Sequence, residues 1–394
     1  MNANCTCPYC FNDFSLYNVK FRCKNNELTL DKKEKCKSET DKVLGKNLRR
    51  VIEINNPVKY GPIPKKIKCD NCNVETLTRI CPECHNELPY SFDGSNKHLI
   101  FGIIGTTSAG KSHYIASLLK IIKNEMSFSF NVSCVINSVS QKRVDKIHEQ
   151  VYGKKESLDA TAIENTDVKL PIVFTLRFKR KSLLRNVDEE CTISLFDTAG
   201  EAMDSIDYMS KYIYKSSGLI FLIDPRQIDG LQKQQTDEDL PVKKTSQIIE
   251  TMINYCRENT DLDMKEINKK TPVAIAISKF DKIESEFDEA SILNSPGSHA
   301  GVLNIDHINA INTEIMSFIS TKEEANVIRL IEDYFSNYSF FGVSALGSNP
   351  VEDKKIDKIR PKRIEDPFLW LLWKNGVIKS NQMKLFVNKI LHNK

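Results

Sequence analysis

The stretch "HLIFGIIGTTSAGKSHYIASLLKIIKNE", residues 98–125, constrains this chain more than any other. An apolar run is followed by a Gly-rich turn, and the turn opens into an amphipathic pattern with helical period. The turn has the form G-x4-G-K-S, with Gly105, Gly110, Lys111 and Ser112 at the fixed positions. Glycines there let the backbone wrap a phosphate chain with its N–H groups turned inward. Thr106, Ser108, Ala109 and His113 complete the cradle. Lys111 is placed to reach the β- and γ-phosphates and the Ser112 hydroxyl to bind Mg²⁺. A helix-capping Ser in a glycine turn would explain part of the pattern, but not the lysine.

Apolar runs then recur down the chain. "PIVFTLRF" (171–178) and "CTISLFD" (191–197) read as neighbouring strands. "GLIFLID" (218–224), "PVAIAIS" (272–278) and "SFFGVSA" (339–345) read as buried parallel strands. Helical patterns separate them at about 203–215, 243–258, 307–318, 322–337 and 380–391. This alternation predicts an α/β fold with a doubly wound, mostly parallel sheet and ligands at the carboxyl ends of its strands. The distance from Lys111 to the next acidic strand end is long. The extra segment, about 126–165, holds the strand-like "SFSFNVSCVIN" and the helix-like "SQKRVDKIHEQVYG", and reads as an added sheet edge or a partner surface.

Three further groups fall just after strand ends. Asp197 closes "TISLF", where an acid holds the Mg²⁺ shell, and Gly200 can offer its N–H to a γ-phosphate. In "AISKFDK", Asp281 can accept from the N1–H and the exocyclic amine of guanine, which adenine cannot match, and the stem of Lys279 can lie across the ring. In "GVSALG", Ser344, Ala345 and Leu346 follow the last strand, and the Ala345 N–H can donate to guanine O6. An ATPase is the chemical runner-up and is disfavoured by Asp281.

The front of the chain is different. Nine of twelve cysteines lie in the first 84 residues, while Cys134, Cys191 and Cys256 are scattered and read as small buried apolar residues. "KCDNCNVETLTRICPECHNELP" pairs two C-x2-C turns across eight residues, and predicts a structural Zn²⁺ site of Cys69, Cys72, Cys81 and Cys84. Cys7, Cys10, Cys23 and Cys36 are taken as a second site, with Cys5 spare. An interleaved grouping, with Cys7 and Cys10 sharing a metal with the later pairs, and iron in place of zinc, both stay open. The expected domains are a first zinc-binding module at 1–50, a linker ("INNPVKYGPIPKK") and second zinc ribbon at 51–97, and a nucleotide domain at 98–394 ending in a helical extension. Residues 1–98 carry 17 Lys and Arg against 12 Asp and Glu. Eight thiolates on two divalent ions would offset most of that excess, which weakens a nucleic-acid reading. Neither a secretory signal, nor a lipidation box, nor a bilayer span is seen, so a cytoplasmic protein is expected.

Together, "GTTSAGKS", "DTAG" (197–200), "SKFD" (278–281) and "SAL" (344–346) resemble the Ras-like P-loop GTPases of the translation-factor-related (TRAFAC) class. The cysteine ribbons ahead of such a domain are similar to those of predicted bacterial GTPases of conflict and defence systems, as is the phrase "DPFLWLLWKNGVI". The resemblance implies a molecular switch that binds GTP and GDP with Mg²⁺ and uses its ribbons to dock or brace. Ser278 departs from the usual Asn or Thr. The switch I threonine is Thr161 or, preferably, Thr166, close before the next strand. Glu201 stands where such proteins carry a water-orienting Gln, and implies slow turnover without a partner; alternatively it faces solvent at a helix start. An unidentified protein effector or activator is the expected partner. RNA contact by the ribbons and nucleotide-dependent, dynamin-like oligomerisation are ranked below it. Trp370 and Trp373 in "EDPFLWLLWKNGVI" read as an extra helix packed on the domain, or as a partner groove.

Overall fold

A computed structural model gives the architecture. It describes residues 4–24, 36, 38–54, 63–94, 96–105, 109–158, 170–181, 186–197, 213–228, 231, 244–247, 249–250, 253, 271–295, 297, 299–322, 325–348 and 355–382. Nine short strands come first: β1 (Asn4–Thr6), β2 (Asp13–Ser15), β3 (Lys20–Arg22), β4 (Ser38–Asp41), β5 (Lys46–Arg49), β6 (Val51–Ile52), β7 (Ile67–Lys68), β8 (Glu75–Thr76) and β9 (Arg79–Ile80). Then follow β10 (Lys97–Gly105), α1 (Lys111–Asn124), α2 (Met126–Ser129), β11 (Val132–Ile136), α3 (Ser138–His148), β12 (Ile172–Lys181) and β13 (Asn186–Asp197). The remainder has β14 (Gly218–Ile223), β15 (Val273–Ile277), α4 (Ile305–Thr321), α5 (Ala325–Tyr334), β16 (Tyr338–Gly342) and α6 (Glu365–Lys374). Seven strands form the main sheet in the order β11-β12-β13-β10-β14-β15-β16. By contacts the chain divides into two compact units, one of residues 1–99, 135–141 and 170–194, the other of 100–134, 142–169 and 195–394.

In the first unit the cysteines organise the core. Each C-x2-C turn closes the same way. The N–H after the second Cys donates back to the first: Phe11 to Cys7 O (3.1 Å), Asn73 to Cys69 O (2.8 Å) and His85 to Cys81 O (3.1 Å). Those three residues take positive φ, 56–57°, which an Asn accepts more readily than a Phe. The eight predicted thiols do form two groups, but not the consecutive ones. Cys7, Cys10, Cys81 and Cys84 make one, and Cys23, Cys36, Cys69 and Cys72 the other, each with its sulfurs within 4.8 Å of one another. The interleaved alternative is the one the fold adopts, and strand pairing is the reason. β3 runs antiparallel to β9, with Lys20 opposite Ile80. The start of β3 therefore lies beside Cys81, and its end carries Cys23 toward the other knuckle. A buried Asp41 closes the module. It accepts from Arg22 at 2.7 Å and His85 at 2.9 Å, and from the Val43 and Leu44 N–H groups. Burial alone would raise its pKa, but Arg22 and these donors hold it far below the usual carboxylate range. Val173 of β12 joins the cysteine core, and Ser91 bonds the Thr175 and Thr192 hydroxyls.

In the second unit β14 and β15 are buried along their whole length, as continuous apolar runs should be when both faces are covered. β10, β14, β15 and β16 are parallel, with Gly105 opposite Leu222, Ile223 opposite Ile277 and Ile277 opposite Gly342. The tryptophan segment is α6, and the packing reading is the correct one. Phe368 meets Phe101 edge-on at 5.9 Å, and Trp370 meets Phe341 at 6.0 Å. Gly218 is needed beneath it, since a Cβ there would sit 2.8 Å from Leu371. "SFSF" is not strand. Its first three residues lie in the short helix α2 and Phe130 caps it; the Ser127 and Ser129 hydroxyls bond the Asn124 and Glu125 carbonyls, and the edge strand β11 starts only at Val132. Cys191 is buried as expected, whereas Cys134 is half-buried; Cys256 and the closing helix beyond residue 382 lie outside the described residues. No described helix is long and apolar enough to cross a membrane.

The grouping has a direct test. A chain with both Cys10→Ser and Cys81→Ser disrupts a single cluster and should retain one bound metal per chain by mass spectrometry. Two consecutive sites would both be damaged, and would leave none.

Candidate functional site

The parallel register brings four loop segments to one edge of the sheet: 109–110, 224–228, 278–283 and 343–347. Gly105 ends β10, where a Cβ would lie 2.7 Å from Leu222 O and 3.1 Å from the Ala109 Cβ, so only glycine allows this approach to β14. Gly110 caps α1 with φ 76°, the left-handed region glycine favours. Lys111 opens α1, is 6% exposed, and donates to Gly105 O at 2.7 Å. The ammonium is thereby held at the end of β10, and Ser112 beside it in sequence is half-buried. His113 follows. Its Nε2 accepts from Leu158 N at 3.0 Å and pairs with the Ser157 hydroxyl at 3.2 Å, so the ring is neutral at Nε2. Thr106 and Ser108 lie outside the described residues.

Across the edge, Ser278 caps the end of β14: its N–H and its hydroxyl both donate to Ile223 O, at 2.8 and 3.0 Å. Its hydroxyl thus ties the loop to β14 at the position where Asn or Thr is usual. Lys279 takes φ 49°, which turns the chain so that Asp281 and Ser344 meet. The Ser344 hydroxyl donates to Asp281 Oδ1 in a short bond and accepts from Gly347 N at 3.0 Å. Phe280 lies against Gly342, where a Cβ would touch its ring at 2.6 Å. The three groups predicted for base contact, 279, 281 and 344–346, are thus adjacent.

One residue of this edge escaped the sequence reading. Asp224 follows β14 directly and is fully buried. It accepts from Lys279 Nζ at 2.7 Å and from Arg226 Nε and Nη2, both at 3.1 Å. Burial would raise its pKa, but Arg226 and Lys279 outweigh that and keep it low. Its signal was present, an acid at the end of a buried strand followed by Pro-x-Gln, which forms a capping box with Gln227.

Asp197 ends β13, next to β10; its side chain and Thr161, Thr166, Gly200 and Glu201 lie outside the described residues. The thiols of the other unit have the separations of a tetrahedral site: Cys7–Cys84 3.7 Å, Cys10–Cys81 3.9 Å, Cys23–Cys72 3.6 Å and Cys36–Cys69 3.8 Å. Four sulfurs at about 2.3 Å from one ion would be about 3.8 Å apart.

A doubly wound sheet with G-x4-G-K-S after its β10 strand defines a P-loop nucleotide-binding protein. The chain belongs to the Double-GTPase 2 family, whose model matches residues 99–335. It is also similar to solved GTPase structures. The S. cerevisiae Ski7 GTPase-like domain, bound to GTP, is 15% identical over 74% of this chain and 53% of that one, with a TM-score of 0.34. Sup35 complexed with GDP is 12% identical over 66% of this chain and 40% of that one, with a TM-score of 0.27. The chain therefore spans about half the length, or less, of these structures. No curated protein matches it.

Burial, and then the charge of Lys279, push His113 down to about pKa 4. The unfolded chain binds that proton near pH 6.5, so this group takes stability away as pH falls from about 6.5 to 4. His113→Gln, which keeps an acceptor for Leu158, should make the fall in melting temperature over this window shallower.

Proposed function

We propose that the chain binds GTP in preference to ATP at this edge, hydrolyses it slowly, and acts as a switch. The observation that carries the reading is the Lys279–Asp281–Ser344 constellation at the same sheet edge as Lys111. Asp281 Oδ1 is fixed by Ser344, which orients the carboxylate to accept from guanine N1–H and its amine. Lys111 leaves the Gly105 carbonyl for the β- and γ-phosphates, and the N–H groups at the start of α1 face the phosphate chain. Ser112 and Asp197 would hold Mg²⁺, which supplies charge neutralisation between the phosphates. Thr166 and Gly200 serve the γ-phosphate. Glu201 accepts a hydrogen bond from the attacking water but cannot donate to the phosphate and is repelled by it, which is the reason for slow turnover and for a partner protein that completes the site.

The two four-cysteine groups hold Zn²⁺. They leave no open position, so these ions are structural. Donors already face the sulfurs: Tyr9 N to Cys7, Glu83 N to Cys81 and Asn86 Nδ2 to Cys84, each at 3.4 Å, and Asn71 Nδ2 to Cys36 at 3.6 Å. The ribbons serve as the docking element for a cytoplasmic protein partner.

Two variants test the base and the water. Asp281→Asn should weaken GTP on the order of 100-fold, the cost of charge-assisted hydrogen bonds, and should gain XTP, whose C2 carbonyl suits an amide donor. Unchanged GTP affinity would remove Asp281 from the site. Glu201→Gln should raise the single-turnover rate; an unchanged rate would remove Glu201 from the mechanism.

A further inference from the structure

The segment between β11 and residue 158 is not only an addition to the sheet edge. After α3 the helix widens into a π-helical turn, Glu149–Gly153, closed by Lys154 N to Glu149 O at 2.8 Å. This turn places Tyr152 against α1. The Tyr152 hydroxyl is 3.0 Å from Ser117 Oγ, and Ser117 Oγ donates to the Ala345 carbonyl at 2.8 Å. Because the Ser117 proton goes to Ala345, Tyr152 is the donor to Ser117. Ser117 is fully buried, and Lys120 Nζ lies over the Tyr152 ring at 3.6 Å. Burial raises the tyrosine pKa, so the hydroxyl keeps its proton. Leu346 packs into the same small core, with Val151 and Leu158.

The loop 344–346 is held from the other side as well. Lys362 N donates to Ser344 O at 2.8 Å, and Arg360 N donates to Leu346 O at 2.8 Å. In a trans peptide the carbonyl of Ser344 and the N–H of Ala345 point in opposite directions. The Lys362 bond thus turns the Ala345 N–H away from 362, and no described residue accepts from it. The Ser117 bond fixes the next peptide. The two planes flank the Ala345 Cα, so the Ser117 bond restrains rotation about that residue from one side as the Lys362 bond does from the other, and the Ala345 N–H keeps one direction.

We infer that Tyr152 and Ser117 are positioning residues for the base: through a relay from Tyr152 to Ser117 to the Ala345 carbonyl, the inserted segment sets the backbone donor that reads guanine O6. The inference rests on the guanine reading above and deepens it. It makes the insertion a part of the specificity of the nucleotide site. The segment has other anchors, Glu156 paired with Lys355 and Ile356 N donating to Lys155 O at 2.8 Å, so losing one hydroxyl should leave the turn in place.

The test uses the full chain with Mg²⁺ and measures dissociation constants for GTP, ITP and 6-thio-GTP by competition with a fluorescent guanine nucleotide. ITP keeps O6 and lacks the 2-amino group; 6-thio-GTP keeps both N–H donors and replaces O6 with a poorer acceptor. Tyr152→Phe and Ser117→Ala should weaken GTP and ITP about three- to tenfold, the worth of one ordinary hydrogen bond, and leave 6-thio-GTP nearly unchanged. Ser117→Thr, which keeps the hydroxyl, should restore the preference for GTP over 6-thio-GTP. Variants that melt like the parent chain and keep that preference in full would overturn the relay. So would equal weakening of all three nucleotides, which marks general loosening. A parent chain that binds ATP as well as GTP would instead overturn the guanine reading, and the relay with it.

Discussion

The parallel register of β10, β14, β15 and β16 is the constraint on which the site depends. With Gly105 opposite Leu222 and Ile277 opposite Gly342, four strands stop at one level. Their following loops then have no choice but to share an edge. Each strand contributes what a neighbour needs. Gly105 lets β10 and β14 approach, Ile223 O accepts from Ser278, and Ile277 O accepts from Val343 N. A strand that slipped by one residue would turn its loop's side chains to the opposite face.

On that frame the polar groups are paired before any ligand arrives. Asp224 would be costly to bury alone. Lys279 and Arg226 satisfy it, and in doing so they hold Lys279 beside Asp281. Ser344 fixes Asp281, while Lys111 rests on a backbone carbonyl that a phosphate chain can replace. The described residues are thus paired at the base end, while at the phosphate end Lys111 has a partner that a ligand can displace.

The legible parts were those carried by contiguous residues. G-x4-G-K-S, the S-K-x-D run and the short S-A-L loop each sit within one turn of chain, and the apolar runs that lead into them are long enough to be read as strands. All eight clustered thiols were identifiable from C-x2-C spacing together with Cys23 and Cys36. Their grouping was not, because it is decided by β3 pairing with β9, a partner far along the chain. Asp224 was missed for a related reason. An acid at a strand end is common, and its partner Lys279 is 55 residues away. The alternation in "SFSF" imitates a strand over four residues, yet that stretch follows α1 immediately and continues as helix. The role of Tyr152 was out of reach because nothing in its neighbourhood in the sequence points to Ser117 or Ala345.

The most direct measurement is the identity of the nucleotide that leaves with the freshly purified protein, extracted and separated by ion exchange. The account predicts guanine nucleotide, with GTP a substantial share because Glu201 slows its loss. Adenine nucleotide in its place would contradict the role of Asp281, and with it the central claim that this edge of the sheet is built to read guanine.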